Sequence, residues 1–396
     1  MHHRTVRSPT TRATVPGQIG PYSSISLFTG AYGLDLGLER AGFEVKASVE
    51  KDPLAVGTIV LNRPMLQDKI LQMDIRKVSV PGLLEKAGLS RGEACLVAGG
   101  PPCQPFSTAG RRGSVKSDEG LLFQSFLKVV WGIYPTFFLF ENVKGILSSA
   151  LFHRPLRLRK NERTPTGEKA RLGSGWEMIR SEFEKTLRTG RDDGYKIFVW
   201  ELNAADYGAA QTRKRVFIVG ARGGYGLEIP KATHAGNHRT LREVIGHLDS
   251  SHEVVGMDYR PYDPDRLHVF GEGLVGPGEN WEALNTYWRK KVMGHAYESW
   301  GGRVGFARRL SWDQPSPTIT TNPRGRATTL CHPDKARPLT ITECALLQGF
   351  PENWRFAPEK PTRRYVQIGN AVTVQLAEAI GRELARSLST GPTVSA

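Results

Sequence analysis

Apolar and polar positions alternate along the first half of the chain with two periods. "SSISLFTG" sets Ile25 and Leu27 between small polar residues and breaks at Gly30. "LDLGLERAG" has the spacing of a short helix that stops at Gly42, and "FEVKASVEKD" returns to period two through Val45, Ala47 and Val49. "ACLVAGG" and "TFFLFENV" are short, nearly continuous apolar runs, as strands buried on both faces require. "YKIFVWELN" and "RVFIVGAR" follow in the same manner. This alternation predicts an α/β fold with a doubly wound, mostly parallel sheet, whose ligands bind at the carboxyl ends of the strands. Near the end, Val372, Leu376, Ile380, Leu384 and Leu388 recur every four residues and predict one long helix with a single apolar face.

Between these regions the pattern fades. Residues from about 223 to 307 carry scattered Gly, Pro and aromatic positions, Trp281, Trp288 and Trp300 among them. They read as a second, smaller, irregular domain. Residues 1–20, rich in Arg, Thr, Ser and Pro without periodicity, read as a flexible basic arm. The remainder, 21–222 plus 308–396, is then one catalytic and cofactor-binding domain.

Composition sharpens this picture. With 54 Lys+Arg against 39 Asp+Glu, the formal net charge is +15, which points to a polyanionic partner, nucleic acid ahead of an anionic membrane surface. Seven Lys/Arg and two Glu crowd the stretch from His153 to Arg171, either a solvated loop or a phosphate contact through residues such as Arg157, Arg159 and Lys160. No apolar run approaches the ~20 residues of a membrane helix, and the first residues lack the apolar core of a secretory signal. The four cysteines, Cys95, Cys103, Cys331 and Cys344, suit neither a zinc site nor a disulfide framework, so a reducing cytoplasm without a metal is expected.

Candidate chemistry gathers at strand ends. Gly30 and Gly33 lie at the first strand–helix turn, and Glu50 ends the second strand twenty residues after Gly30. A turn open to backbone approach followed by an acid for ribose hydroxyls is the pattern of a nucleotide site. The run reads "GAYGLDLG" rather than GxGxxG, and Tyr32 and Asp35 crowd the place of a pyrophosphate, which favours a nucleoside without phosphates; a purely structural turn is the plain alternative. Asp74 in "LQMDIRK" is a third cofactor contact or a loop cap. Cys103 sits between prolines in "GGPPCQPFS", a fixed loop at the end of an apolar strand, where a thiolate with a lowered pKa is a strong nucleophile. Glu141 ends the run "FFLFE", and Arg213 and Arg215 precede or open "RVFIVG". A nucleophile, an acid and a cationic donor beside a nucleoside cofactor suggest group transfer to an electron-poor ring. Singly, each has a structural reading: buried thiol, helix cap, surface charge.

Together these stretches resemble the C5-cytosine DNA methyltransferases. "SLFTGAYGLDLGLERAGF" is similar to the family's first motif, "GGPPCQPFS" to its nucleophile motif, "ENVKG" to the next and "QTRKRVFIVG" to the paired-arginine motif. "RRLSWDQPSPTITT", "RPLTITECALLQGFP" and "RRYVQIGNAV" resemble the closing motifs, in the family's order. The resemblance implies methyl transfer from S-adenosyl-L-methionine to C5 of a cytosine flipped out of double-stranded DNA. It implies that Cys103 attacks C6, that Glu141 and Arg215 hold the ring with Arg213 beside them, and that Phe28, Gly30, Gly33, Glu50, Asp74, Asn370 and Val372 line the cofactor pocket. It places a target-recognition domain at 223–307 and suggests a restriction–modification setting with a cognate endonuclease. The family usually has an acid where Ser26 stands and a glycine where Tyr32 stands. Competing readings are a tRNA cytosine-5 methyltransferase, a catalytically silent DNA-binding partner, and an NAD-dependent oxidoreductase, the last opposed by the missing GxGxxG.

Overall fold

The computed structural model describes residues 21–102, 122–149, 173–189, 194–248, 258–298, 304–358 and 360–392. Its strands are β1 (Tyr22–Leu27), β2 (Phe43–Glu50), β3 (Ile70–Gln72), β4 (Leu96–Gly99), β5 (Phe137–Val143), β6 (Lys196–Asn203), β7 (Gln211–Thr212), β8 (Lys214–Ala221) and β9 (Ser316–Pro317). Seven of them form one sheet in the order β3-β2-β1-β4-β5-β8-β6. All neighbouring pairs from β3 to β5 are parallel, and β8 alone runs against both β5 and β6. The strand order reverses between β1 and β4, where an open α/β sheet leaves a crevice at its carboxyl edge.

Side chains alternate strictly between the two faces, as the period of two demands. Val97, Phe138, Phe140, Val216 and Ile218 enter one core with helices α3 (Val80–Ala87), α4 (Leu122–Ile133) and α5 (Ser174–Thr186). Leu96, Ala98, Phe137, Leu139, Phe217 and Val219 enter the other, against α1 (Gly33–Arg40) and α11 (Val374–Thr390). The continuous apolar runs of β4 and β5 are thus buried on both faces, whereas β6, at the sheet edge, alternates with exposed positions such as Val199. The four-residue repeat near the end of the chain is the buried stripe of α11: Leu376, Ile380 and Leu384 are fully buried. Each contributes about 1.5–3 kcal/mol by leaving water.

The 223–307 stretch divides in its packing. Leu227 joins the α1/α11 core, and Leu241 and Ile245 of α6 (Leu241–Ile245) join a third cluster built on α9 (Ile341–Leu347) and α10 (Pro361–Asn370). From Tyr262 onward the chain forms a small core of its own. There α7 (Pro264–Gly271) and α8 (Thr286–Met293) pack Val269, Phe270, Val292 and Met293 with Leu284, Phe306 and Cys331.

Candidate active site

The turn after β1 is unusual backbone. Phe28, Gly30 and Tyr32 all have positive φ, 55°, 55° and 76°. Only the glycine does so freely; the other two cost about 1–2 kcal/mol each. Contacts around Tyr32 offset this. Its ring is fully buried and stacked on Trp354 with centroids 6.3 Å apart, and its hydroxyl donates to Glu39 Oε1 at 2.6 Å. Beneath the turn, Ser26 Oγ donates to Asp35 Oδ2 at 2.9 Å and lies 3.1 Å from Thr29 Oγ1. The helix therefore returns a carboxyl group to the position of Ser26. Burial pushes the Asp35 carboxyl up to about 7, against the hydrogen bond from Ser26.

Glu50, the last residue of β2, faces this turn. Its two oxygens accept from the backbone N–H groups of Gly30 and Asp52, both at 2.7 Å, while burial pushes its carboxyl upward. Asp74, one loop away beyond β3, caps a short helical turn and receives Arg76 and Lys51 at 2.8 and 3.1 Å, which holds its carboxyl well below the usual range. Gly33 opens α1 against the chain's far end: a Cβ there would lie 2.6 Å from the Val372 carbonyl oxygen. Val372 is buried and Asn370 is the exposed last residue of α10, so the junction of α10 and α11 closes over the turn. Phe28, Gly30, Gly33, Glu50, Asp74, Asn370 and Val372 thus border the carboxyl ends of β1 to β3 and this junction.

The second half of the crevice belongs to β4, β5 and β8. β5 runs two residues beyond Glu141, so the acid sits within the ladder rather than at the strand's end. Because β8 is antiparallel, its first residues meet the last residues of β5, and Arg215 lies opposite Val143. Arg215 Nε is 3.0 Å from Glu141 Oε1, with both side chains only 12% exposed. Burial pushes the Glu141 carboxyl up despite the opposing charges of Arg215 and then Arg213. This carboxyl is therefore held toward its protonated form beside a permanent cation. Gly100 supplies its back wall: a Cβ at that position would be 2.7 Å from Glu141 Oε2. Asn142 Nδ2 donates to the Pro101 carbonyl at 3.4 Å, tying the β5 end to the loop after β4. Cys103, next after Pro102 in that loop, lies outside the described residues, as does the basic stretch with Arg157, Arg159 and Lys160.

Arg213 is placed differently from Arg215. It is 2% exposed, and its guanidinium donates to three backbone carbonyls: Ile319 at 2.9 Å, Gly369 at 2.8 Å and Ala371 at 3.0 Å. It clamps two late segments onto the mouth of β8 rather than pointing at the crevice. Sequence reasoning grouped it with Arg215 and missed Gly100 and Asn142, although both flank named motifs in "GGPPCQPFS" and "ENVKG". Gln211 and Gln348, 2.9 Å apart, were also missed; with Thr373 they form a buried amide network under the same clamp. Among the described residues no group of three or more His, Cys, Asp or Glu is arranged to hold a metal, and no helix is long and apolar enough to cross a membrane. A cavity of about 980 Å³ lies elsewhere, lined by Trp176, Phe183, Tyr195 and Val199 between α5 and the β6 edge.

Comparison with known proteins agrees with this architecture. The model of the C-5 cytosine-specific DNA methylase family matches residues 22–154 and 177–386. The chain is 32% identical over 376 residues to the type II methyltransferase M.Sau96I of Staphylococcus aureus, covering 93% of this chain and 76% of that protein. It is 32% identical to M.FnuDI of Fusobacterium nucleatum, covering 92% and 94%. A solved structure described as a DNA modification methyltransferase encoded within an E. coli prophage superposes with a TM-score of 0.62 at 25% identity, covering 93% of this chain and 99% of that one. A Spodoptera frugiperda DNMT2 mutant shares the fold, with a TM-score of 0.57 at 13% identity over 92% and 99% of the two chains. The Rossmann-like sheet, the paired carboxyl group and arginine at its edge, and these similarities lead to one conclusion: the chain belongs to the C-5 cytosine-specific DNA methylases and is a DNA cytosine-5-methyltransferase of the restriction–modification type.

Proposed function

We propose that this enzyme methylates a flipped-out cytosine of double-stranded DNA through a covalent bond between Cys103 and C6, with S-adenosyl-L-methionine as donor. The observation that carries the reading is the Glu141–Arg215 pair, 3.0 Å apart and backed by Gly100. Cytosine C5 is too poor a nucleophile to take a methyl group unaided. The Cys103 thiolate adds to C6, and the electron pair displaced from the C5–C6 bond delocalises toward N3. Glu141, held toward its protonated form, donates its proton there and accepts from the exocyclic amine. Arg215 holds O2 and keeps the ring facing the thiolate. As C5 takes the methyl group the N3 proton returns to Glu141, and loss of the C5 proton to water then restores the double bond and expels Cys103 as its thiolate.

The residues around the β1 turn fit a nucleoside donor rather than a dinucleotide. Tyr32 fills the space before α1 and Gly33 abuts Val372, leaving the helix N-terminus no room for a pyrophosphate. Glu50 would take the ribose hydroxyls, Asp74 the adenine amine, and Phe28, Asn370 and Val372 the walls. Bound there, S-adenosyl-L-methionine supplies an electrophilic methyl group. Arg213 acts as a positioning residue through the carbonyls it clamps. In this reading 223–307 holds the target-recognition surface, and a restriction endonuclease cutting the same unmodified site is the cognate partner.

The test is a duplex with 5-fluorocytosine at the target, which lacks the proton whose loss releases the enzyme. With cofactor it should give a covalent adduct on a denaturing gel. Cys103→Ala should give none, while Cys95→Ala should retain it. Burial pushes the Cys331 thiol up to about 12 and Cys344 upward as well, so neither is a ready nucleophile. An adduct mapped to any cysteine other than Cys103 would overturn the mechanism.

A further inference from the structure

Helices α10 and α11 meet end to end, joined only by Ala371, Val372 and Thr373, all three buried. Helix ends leave carbonyl and N–H groups without partners inside the helix, and where they are buried other parts of the chain must satisfy them. Gln348, fully buried at the C-terminal end of α9, serves both ends. Its Nε2 donates to the Ile368 carbonyl of α10 at 2.6 Å and to the Ala371 carbonyl at 3.3 Å. Its backbone carbonyl accepts from the N–H of Val374, the first residue of α11, at 3.0 Å. Its Oε1 accepts from Gln211 Nε2 at 2.9 Å and from Thr373 Oγ1 at 3.1 Å. Thr373 stands at the N-cap of α11 without capping it through its side chain; the hydroxyl goes to Gln348 instead. Both N–H groups and both acceptor sites of one amide are therefore in use, a set that Glu, Leu or Met could not supply.

The junction that Gln348 holds has a second tether. The Ala371 carbonyl also accepts from Arg213 at 3.0 Å, and the same guanidinium donates to the Gly369 carbonyl at 2.8 Å. Arg213 holds the junction from the side of β8, and Gln348 holds it from the end of α9. On its other side the junction presses on the turn after β1, where a Cβ at Gly33 would come within 2.6 Å of the Val372 carbonyl oxygen. A contact that close leaves no slack, so a shift of the junction changes the space between the turn and Val372 directly.

We propose that Gln348 is a positioning residue for the methyl donor. From behind the wall, its amide fixes how far the α10–α11 junction stands from the turn after β1, and so places Asn370 and Val372. The proposal rests on the DNA methyltransferase reading and adds to it a residue that acts on the cofactor through backbone carbonyls. Arg213 keeps its own hold on the junction, so loss of the amide should loosen the cofactor wall and leave Arg215 beside Glu141.

The experiment compares the full chain with Gln348→Met, which keeps the volume and removes all four side-chain hydrogen bonds, and with Thr373→Val, which removes one. By calorimetry, the Kd for S-adenosyl-L-methionine should rise about 10-fold in Gln348→Met and about 3-fold in Thr373→Val. The KM for the cofactor should rise in step, with kcat at saturating cofactor within about 3-fold of wild type. In the cofactor-free protein, the backbone amides of residues 371–374 should exchange hydrogen at least ~10-fold faster in Gln348→Met. Loss of folded protein alone would lower the apparent kcat and leave KM unchanged. Ser387→Ala serves as the control for that effect. It deletes the 2.7 Å bond from Ser387 Oγ to the Gly226 carbonyl further along α11, and should lower the urea midpoint with the wild-type Kd. If Gln348→Met does not fold, Thr373→Val decides. A wild-type Kd in every folded variant, or a fall in kcat with KM unchanged, overturns the positioning role. Plasmid methylation by the wild type is scored in parallel: methylation with unshifted variants sinks this role alone, and a wild type that neither binds the cofactor nor methylates sinks the enzymatic reading with it.

Discussion

At Gly100 the absence of a side chain determines where a carboxylate can stand. A methyl group added there would lie 2.7 Å from Glu141 Oε2, and the strand ladder prevents β5 from retreating. Gly100→Ala should therefore displace the Glu141 carboxyl from its place beside Arg215. We expect kcat to fall about 100-fold, the scale of a small misplacement of a catalytic group, with cofactor affinity by calorimetry unchanged. Asp35 gives a second prediction at this scale. Its carboxyl is pushed up to about 7 by burial, so over roughly pH 4 to 7 the folded state binds more protons than the unfolded chain. The contribution of this group to stability accordingly falls as pH rises through that window. Asp35→Asn, which cannot ionise, should gain stability relative to wild type as pH is raised from about 4 to 7 in urea titrations. A pH-independent difference would mean that Asp35 ionises as freely in the folded state as in the unfolded chain.

At the scale of elements, the pairing of α1 with α11 connects the core to the turn after β1. Gly37 brings the helices together so closely that a Cβ there would be 2.5 Å from both the Ala377 Cβ and the Val374 carbonyl. Gly37→Ala should overpack this contact and cost about 1–3 kcal/mol, read as a lower urea midpoint at unchanged m-value. If the turn after β1 holds S-adenosyl-L-methionine as proposed, Gly37→Ala should also weaken its binding, because the same two helices begin at Gly33 and just after Val372. The direction of β8 matters equally. A parallel strand in its place would carry Arg215 to the opposite edge of the sheet, away from Glu141.

At the scale of the whole molecule, the chain leaves the sheet after β8, builds the small apolar core around α7 and α8 and returns. The parallel pair β7/β9 and the Arg213 clamp hold this return beside the crevice. At that junction lies the crevice edge where Glu141 and Arg215 pair their charges. The formal net charge of +15 suits the molecule as a whole to a polyanionic partner.

The sequence by itself determined six of the nine strands, β1, β2, β4, β5, β6 and β8, the first turn and the long final helix, because period and apolar content are local consequences of which faces are buried; β3, β7 and β9, two or three residues each, are too short to carry a period. It also determined the family, because its motifs carry chemistry that tolerates few residue types. Ser26 and Tyr32 read as departures at that level. Only the tertiary structure shows that Asp35 returns a carboxyl group to Ser26 and that Trp354, more than three hundred residues away, stacks on the out-of-place Tyr32. The tertiary structure likewise separated two arginines that share one motif. Adjacent alternate positions of a strand and its approach look equivalent in sequence, yet Arg215 meets Glu141 while Arg213 turns into backbone carbonyls contributed by residues 319, 369 and 371. Those partners are distant along the chain, and no local pattern encodes a contact whose geometry arises when the last third of the molecule folds back onto the strands before it.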